Sequence, residues 1–262
     1  MNANDAFKAG ALQDAITAQL ETVKNNPTDA GARTFLFELL AFAGEFDRAG
    51  KQLEVLRTGE TEHDLGVTYY EQLLRAEGLR ARLFSESLEP KFFSEDVPEH
   101  VQSRLKALQC VRDGQMAEAK ANLTKANEQA PALQGSLNQT GFTEILDCDD
   151  RFGDVLEVMF QGAYYWLPLS QVAKITIQPP RFPRDLLWAP AEVVLKDEQV
   201  GQVFLPALYP ASATHDDEKI RLGRQTDWQD QPEGLVFGVG QRTFLVGEEA
   251  MGLLEWRELT FS

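Results

Sequence analysis

The sequence predicts an α+β chain whose two halves are built differently. An all-α domain of helical-hairpin repeats is expected over residues 1–137, followed by a small antiparallel β-sandwich or partly open barrel over 138–262. Three observations lead there. A Gly-to-Ala spacing recurs through the first half. The apolar period changes from three-and-four to two beyond residue 141. Seven prolines, at 168, 179, 180, 183, 190, 206 and 210, then preclude long helices.

The helices come first. Gly10 and Ala15 in "GALQDA" recur 34 positions later as Gly44 and Ala49 in "GEFDRA", and again as Gly114 and Ala119 in "GQMAEA". Glycine lets the chain turn between two antiparallel helices, and the small alanine permits their close approach. Pro27 and Pro131, each 17 residues after its glycine, stop the second helix of the first and third copies. Gly78, a further 34 positions on, marks where another turn is due, but "GLRARLFSESLEPKFFSEDVPEH" departs from the pattern and reads as a degenerate or enlarged unit. Ala32, Phe35, Leu36, Leu39, Leu40 and Ala43 follow one buried helical face, and Pro98-Glu99 opens a helix with Val101, Leu105, Leu108 and Val111 as its stripe. About seven helices are expected over residues 4–130, and their spacing resembles tetratricopeptide-type (TPR-like) repeats without most of that motif's large residues.

"PALQGSLNQTG" at 131–141 is uncharged and rich in turn formers, which suits a junction. Beyond it, Leu156, Val158 and Phe160 alternate with Val155, Glu157 and Met159, and Gln161-Gly162 turns the chain into "AYYWLPL". Further strands are expected at 173–177, 191–196, 200–205, 234–239, 241–246 and 253–261.

Charge narrows the partners. The formal charge is −16, divided as −6 over residues 1–140 and −10 over 141–262, so both halves repel a polyanion and nucleic-acid binding is not expected. A basic or amphipathic protein partner fits better. "MNANDAFKAG" does not read as a signal peptide, and the longest apolar stretch, 34–44, is broken by Glu38 and far short of a membrane span, so a cytoplasmic protein without membrane contact is expected. Cys110 and Cys148 then read as reduced thiols.

Chemistry-bearing groups are few. His63, His100 and His215 are the only histidines, each among solvent-type residues, and "HDD" at 215–217 reads as a solvated loop, so neither metal nor cofactor is expected. Ser212, Thr214, His215 and Asp216 are adjacent without a nucleophile-elbow motif. The glycines of "GLVFGVGQR" match no phosphate-binding loop. Asp149-Asp150, Asp216-Asp217 and Glu248-Glu249 read as acidic loop tips, and part of Tyr164-Tyr165-Trp166 as core. "RDLLW" (Arg184, Asp185, Trp188), "RLGRQTDW" (Arg221, Arg224, Asp227, Trp228) and "LLEWRELTF" (Trp256, Arg257, Glu258) each combine arginine, carboxylate and indole, as a staple between loops or a recognition patch would.

Seven segments together carry a resemblance: "DDRFGDVLE" at 149–157, "YYWLPL" at 164–169, "RDLLWAPAEV" at 184–193, "LPALY" at 205–209, "RLGRQTDW" at 221–228, "GQR" at 240–242 and "LLEWREL" at 253–259. In this order they resemble the ImpE/SciE (TagJ) family of accessory proteins of the bacterial type VI secretion system. The resemblance implies a cytoplasmic, non-catalytic adaptor that binds the N-terminal helix of the small contractile-sheath subunit and assists the ClpV ATPase in sheath recycling. It supplies no catalytic residues. Repeat surfaces commonly receive a peptide in their concavity, which makes Phe35, Leu39, Phe42, Tyr69 and Tyr70 candidate peptide-binding residues, or plain core. The alternatives are an enzyme acting on an anionic small molecule through Arg184, Arg221 and Arg224, whose forks would have to be free, and a scaffold without a peptide partner.

Overall fold

The structure, a computed structural model, describes residues 1–60 and 64–262 throughout. Helices α1 (Ala3–Ala9), α2 (Leu12–Asn25), α3 (Ala30–Phe42), α4 (Phe46–Val55), α5 (Thr61–Leu83), α6 (Glu99–Arg112) and α7 (Met116–Gln129) form the first half. Strands β1 (Gly135–Leu137), β2 (Thr140–Phe142), β3 (Ile145–Asp147), β4 (Val155–Phe160), β5 (Ala163–Pro168), β6 (Val172–Ile177), β7 (Trp188–Leu195) and β8 (Val200–Pro206) follow. After the short helix α8 (Glu218–Arg221) come β9 (Thr226–Asp230), β10 (Val236–Gly240), β11 (Thr243–Val246), β12 (Glu249–Gly252) and β13 (Glu258–Phe261). The α+β architecture, helices first and antiparallel strands after, is the one the sequence predicts.

The recurring glycines sit where the spacing puts them. Gly10, Gly44 and Gly114 join α1 to α2, α3 to α4 and α6 to α7 in left-handed conformations of φ 87°, 72° and 72°, which a side chain would strain. Their partner alanines, Ala15, Ala49 and Ala119, are each completely buried. Gly78 differs: it lies inside α5, so no turn forms there. One long helix and the irregular chain between residues 84 and 98 replace the expected hairpin, and Lys91 of that chain pairs with Tyr165 of β5.

An eight-stranded antiparallel sheet, in the order β2-β1-β13-β6-β7-β8-β4-β5, is accompanied by a three-stranded sheet β12-β11-β3 and a ribbon β10-β9. Phe244 of β11, Ile145 of β3 and Trp256 pack with Leu156, Leu167, Ile175 and Val193 of the large sheet in one core, giving a sandwich-like layering. Gln161 and Gly162, both at positive φ, make the β4–β5 turn as expected. The segment read as a junction is itself structured: β1 pairs with β13 and with β2, so the sheet begins at Gly135, before the expected boundary. Short strands such as β2 and β3 carry too few residues to show a period of two.

The two halves share a core. Phe37, Leu40, Phe42 and Leu73 of the helices cluster with Met159, Trp188, Leu208 and Leu222 of the strand half. Among the described residues, no helix is long and apolar enough to cross a membrane.

Candidate cleft and ionic junction between the two halves

A buried ionic cluster stitches α5 to the strands. Arg80 of α5 donates from Nε to Glu157 Oε1 at 2.7 Å and from one terminal nitrogen to Glu157 Oε2 and to the Leu208 carbonyl, both at 2.8 Å. Arg242 donates to the same Oε2, and the Tyr164 hydroxyl donates to Oε1. The Arg242 guanidinium continues to Asp147 at 3.3 Å, whose other oxygen accepts from the Tyr209 hydroxyl at 2.8 Å. Glu157, Arg242 and Asp147 are buried, so each charge depends on these partners.

The electrostatics split the two carboxylates. Burial alone would raise Glu157, but the guanidinium groups of Arg242 and Arg80 outweigh it and hold the carboxyl down at about 2. Asp147 has one guanidinium neighbour and the Asp149 carboxylate close by, and burial pushes it up to about 7. Tyr209 is raised too, first by burial and then by the adjacent Asp147 charge.

A second buried set lies under α6. Arg104 reaches Asp154 at 3.3 Å, the Asp150 carbonyl at 3.2 Å and Asn127 at 2.6 Å, while His100 Nε2 lies 2.8 Å from Asp154. The expectation of a solvated histidine therefore fails for His100, which is buried against this carboxylate. His63 lies outside the described residues. His215 fits its expected loop, with its Nδ1 accepting the Asp217 N–H at 3.0 Å. The loop-tip reading fails for Asp149, which is fully buried, pairs with Arg151 at 2.5 Å and accepts the Gly238 N–H at 2.8 Å. Glu157 likewise departs from the expected alternation, because both faces of β4 are covered. Among the described residues, no group of three or more histidine, cysteine, aspartate or glutamate side chains is arranged to hold a metal. Cys110 and Cys148 are free thiols, and burial pushes Cys148 up to about 11.

Above the first cluster, between the halves, opens a cleft of about 580 Å³. Phe42, Phe46, Phe84, Leu187, Trp188 and Leu208 supply its apolar lining. Of its polar lining, Glu77 accepts from Trp188 Nε1 at 3.0 Å and pairs with Arg80 at 3.5 Å. Pro210, Ser212 and Ala213 also line it. Its volume and mostly apolar lining are those of a binding cleft.

The structure distributes the sequence-predicted site residues as follows. Leu39 and Phe42 are fully buried, although Phe42 still contributes to the cleft wall. Phe35 packs edge-on against Phe7 with 5.9 Å between ring centroids. The Tyr70 hydroxyl accepts from Arg184 Nε at 2.7 Å, and Tyr69 is 58% exposed on α5, away from the cleft lining. Arg184 is stacked over Tyr70 and Phe182 and paired with Glu38 at 2.5 Å, while burial raises the Glu38 carboxyl. Asp185 accepts the Arg181 and Phe182 N–H groups at 2.8 and 3.0 Å. Trp188 lies on Phe37 and forms part of the cleft.

The 221–228 segment is split between two tasks. Arg224 donates to the Lys8 carbonyl at 2.7 Å and to that of Phe7, satisfying the C-terminus of α1. Just upstream, Glu218 accepts the N–H groups of Leu12 and Gln13, both at 2.9 Å, and so caps α2 from 206 and 205 positions away. Arg221 belongs to α8, Asp227 accepts the N–H of Trp228 at 2.9 Å, and Trp228 is 40% exposed. Arg184 and Arg224 thus bond into the helical half rather than to Asp185 or Asp227, while Arg257 donates locally to the Leu254 and Trp256 carbonyls. Arg184, Arg221 and Arg224 do not line the cleft.

Sequence reasoning missed Arg80, Arg104, Asp147 and the fate of Glu157 and Arg242. One signal was available: a carboxylate at the centre of the apolar strand "VLEVMF" has to find a buried cation.

Comparison with known proteins agrees with this architecture. The family model described as ImpE protein matches residues 139–260. Over 261 residues the sequence is 36% identical to the type VI secretion system accessory component TagJ of Pseudomonas aeruginosa, covering 100% of this chain and 91% of that protein. A crystal structure of a Vibrio parahaemolyticus protein superposes with a TM-score of 0.90 at 24% identity, covering 99% of this chain and 97% of that one. At that identity the likeness shows the fold alone.

Proposed function

The chain belongs to the ImpE family, and from that membership and the junction cleft we propose that it is a cytoplasmic, non-catalytic adaptor of the type VI secretion system. Its partner in this reading is the N-terminal helix of the small sheath subunit, held so as to assist ClpV-dependent recycling of contracted sheath. The observation that carries the reading is the cleft. It is about 580 Å³ in volume and mostly apolar in lining, and its Glu77 and Arg80 already have partners. An amphipathic helix can bury residues spaced three and four apart in such a groove. The formal charge of −16 favours a helix whose outer face is basic.

Two of the three arginines that the enzyme reading needs are already engaged. Arg184 is paired with Glu38 and Tyr70, and Arg224 is spent on helix carbonyls, so the two forks do not converge on a ligand. A synthetic peptide of the sheath subunit's N-terminal helix, titrated calorimetrically into the intact chain, should bind with micromolar or tighter affinity. Ala213→Trp, which adds bulk to the cleft lining away from the ionic cluster, should weaken that binding by about tenfold or more. Absence of saturable binding to the wild type would count against the adaptor reading.

A further inference from the structure

We infer that the outer edge of β9, with the indole of Trp228 at its centre, is a second docking surface, and that it takes an extended partner segment bearing lysine or arginine. This surface is separate from the cleft, which Trp228 does not line.

The ribbon exposes one side of β9. Among the described residues its one strand neighbour is β10, with Trp228 opposite Gly238 and Asp230 opposite Val236. The N–H groups of Val236 and Gly238 go to Asp150 and Asp149 at 2.7 and 2.8 Å, away from β9. In an antiparallel pair, residues facing these positions are the non-hydrogen-bonded ones, so the backbone groups of Asp230 and the carbonyl of Trp228 point outward, while the Trp228 N–H is held by the Asp227 carboxylate at 2.9 Å. That is a strand edge of the kind an extended chain can extend.

The side chains specify the chemistry. Asp227, Trp228, Gln229 and Asp230 are all exposed, and Glu233 follows in the next turn. From residue 226 to 234 the chain has three carboxylates and no cation. Trp228 is held in place by Tyr209, edge-on at 5.8 Å. This contact requires Gly238, where a Cβ would lie 2.4 Å from the Tyr209 ring. A supported, half-exposed indole with carboxylates on either side of it in sequence is a receptor for a guanidinium or ammonium group, through the ring face and the surrounding charge together. Acidic side chains also guard an edge against indiscriminate pairing. They do so by repelling acidic and apolar strands, which leaves basic ones admitted.

Trp228 supplies its own reporter. The other three tryptophans, Trp166, Trp188 and Trp256, are 0–2% exposed, so acrylamide quenching of the intact protein reads mainly Trp228. The probe is an eight-residue peptide alternating lysine and valine, with a glutamate–valine peptide as its counterpart. The lysine peptide should protect the indole from acrylamide saturably, and the glutamate peptide should not. The double variant Asp227→Asn and Asp230→Asn keeps the strand and the reporter and should weaken protection about fivefold. Asp197→Asn with Glu198→Gln, on the distant β7–β8 turn, should leave it unchanged. Equal protection by both peptides, no protection at saturating lysine peptide, or wild-type affinity in the Asp227/Asp230 variant would each overturn the assignment.

Discussion

Glu157 is the residue on which the junction converges, since Arg80, Arg242 and Tyr164 all donate to it. Replacing it with glutamine removes the carboxylate shared by two buried guanidinium groups, leaving Arg80 with Glu77 at 3.5 Å and Arg242 with Asp147 at 3.3 Å. Such a loss costs about 3–5 kcal/mol, read as a lowered urea midpoint. Because its folded value of about 2 lies below its ordinary 4.5, its contribution is present above pH 4.5 and is lost as pH falls towards 2. Asp147 has the opposite sign. Raised from 3.8 to about 7, it favours the fold most below pH 4, and that advantage disappears as pH rises through 7. Asp147→Asn cannot titrate, so the difference in Tm between wild type and variant should move against the wild type between pH 4 and 7. A constant difference would contradict the assigned shift. Little of this chemistry is legible in sequence. Glu157 announces itself as a carboxylate in an apolar strand, but its partners lie 77 and 85 positions away and nothing local identifies them.

At the scale of elements, the helical hairpins were legible because each depends on one glycine whose backbone must turn left-handed and one alanine that must be small. The long α5 was not. Gly78 has the right spacing, but nothing in its neighbourhood forces a break, and tertiary packing against the strands decides the outcome. The segment 218–224 is the reverse case: its arginines and carboxylates are obvious in sequence, while their targets, the two helix ends around Gly10, are more than 200 positions away. Glu218→Ala removes a cap from two N–H groups and should lower stability by about 1 kcal/mol. Arg224→Ala should also lower Tm while leaving affinity for the sheath-subunit peptide unchanged. A fully stable Arg224→Ala variant that has lost peptide binding would show instead that this arginine is recognition surface.

For the whole molecule, six of the seven family-like segments each supply a residue to the junction. They contribute Glu157, Tyr164, Trp188, Tyr209, Arg224 and Arg242 to the shared core, the ionic cluster and the helix clamps, while Leu253, Trp256 and Leu259 of the seventh pack in the strand core. The succession of a helical half and a strand half follows from period and punctuation, whereas short elements such as β3, α8 and β9 do not, and the cleft exists only because the halves meet at an interface that pairwise spacing cannot specify. A shared core should make calorimetric unfolding a single transition, and two separated transitions would contradict that coupling. If a partner helix lies in the cleft, amide hydrogen exchange on the intact chain, compared with and without the sheath-subunit peptide, should slow at the α3–α4 turn, the C-terminal turn of α5 and residues 207–214. Saturating peptide that leaves all three unchanged while protecting another surface would contradict it.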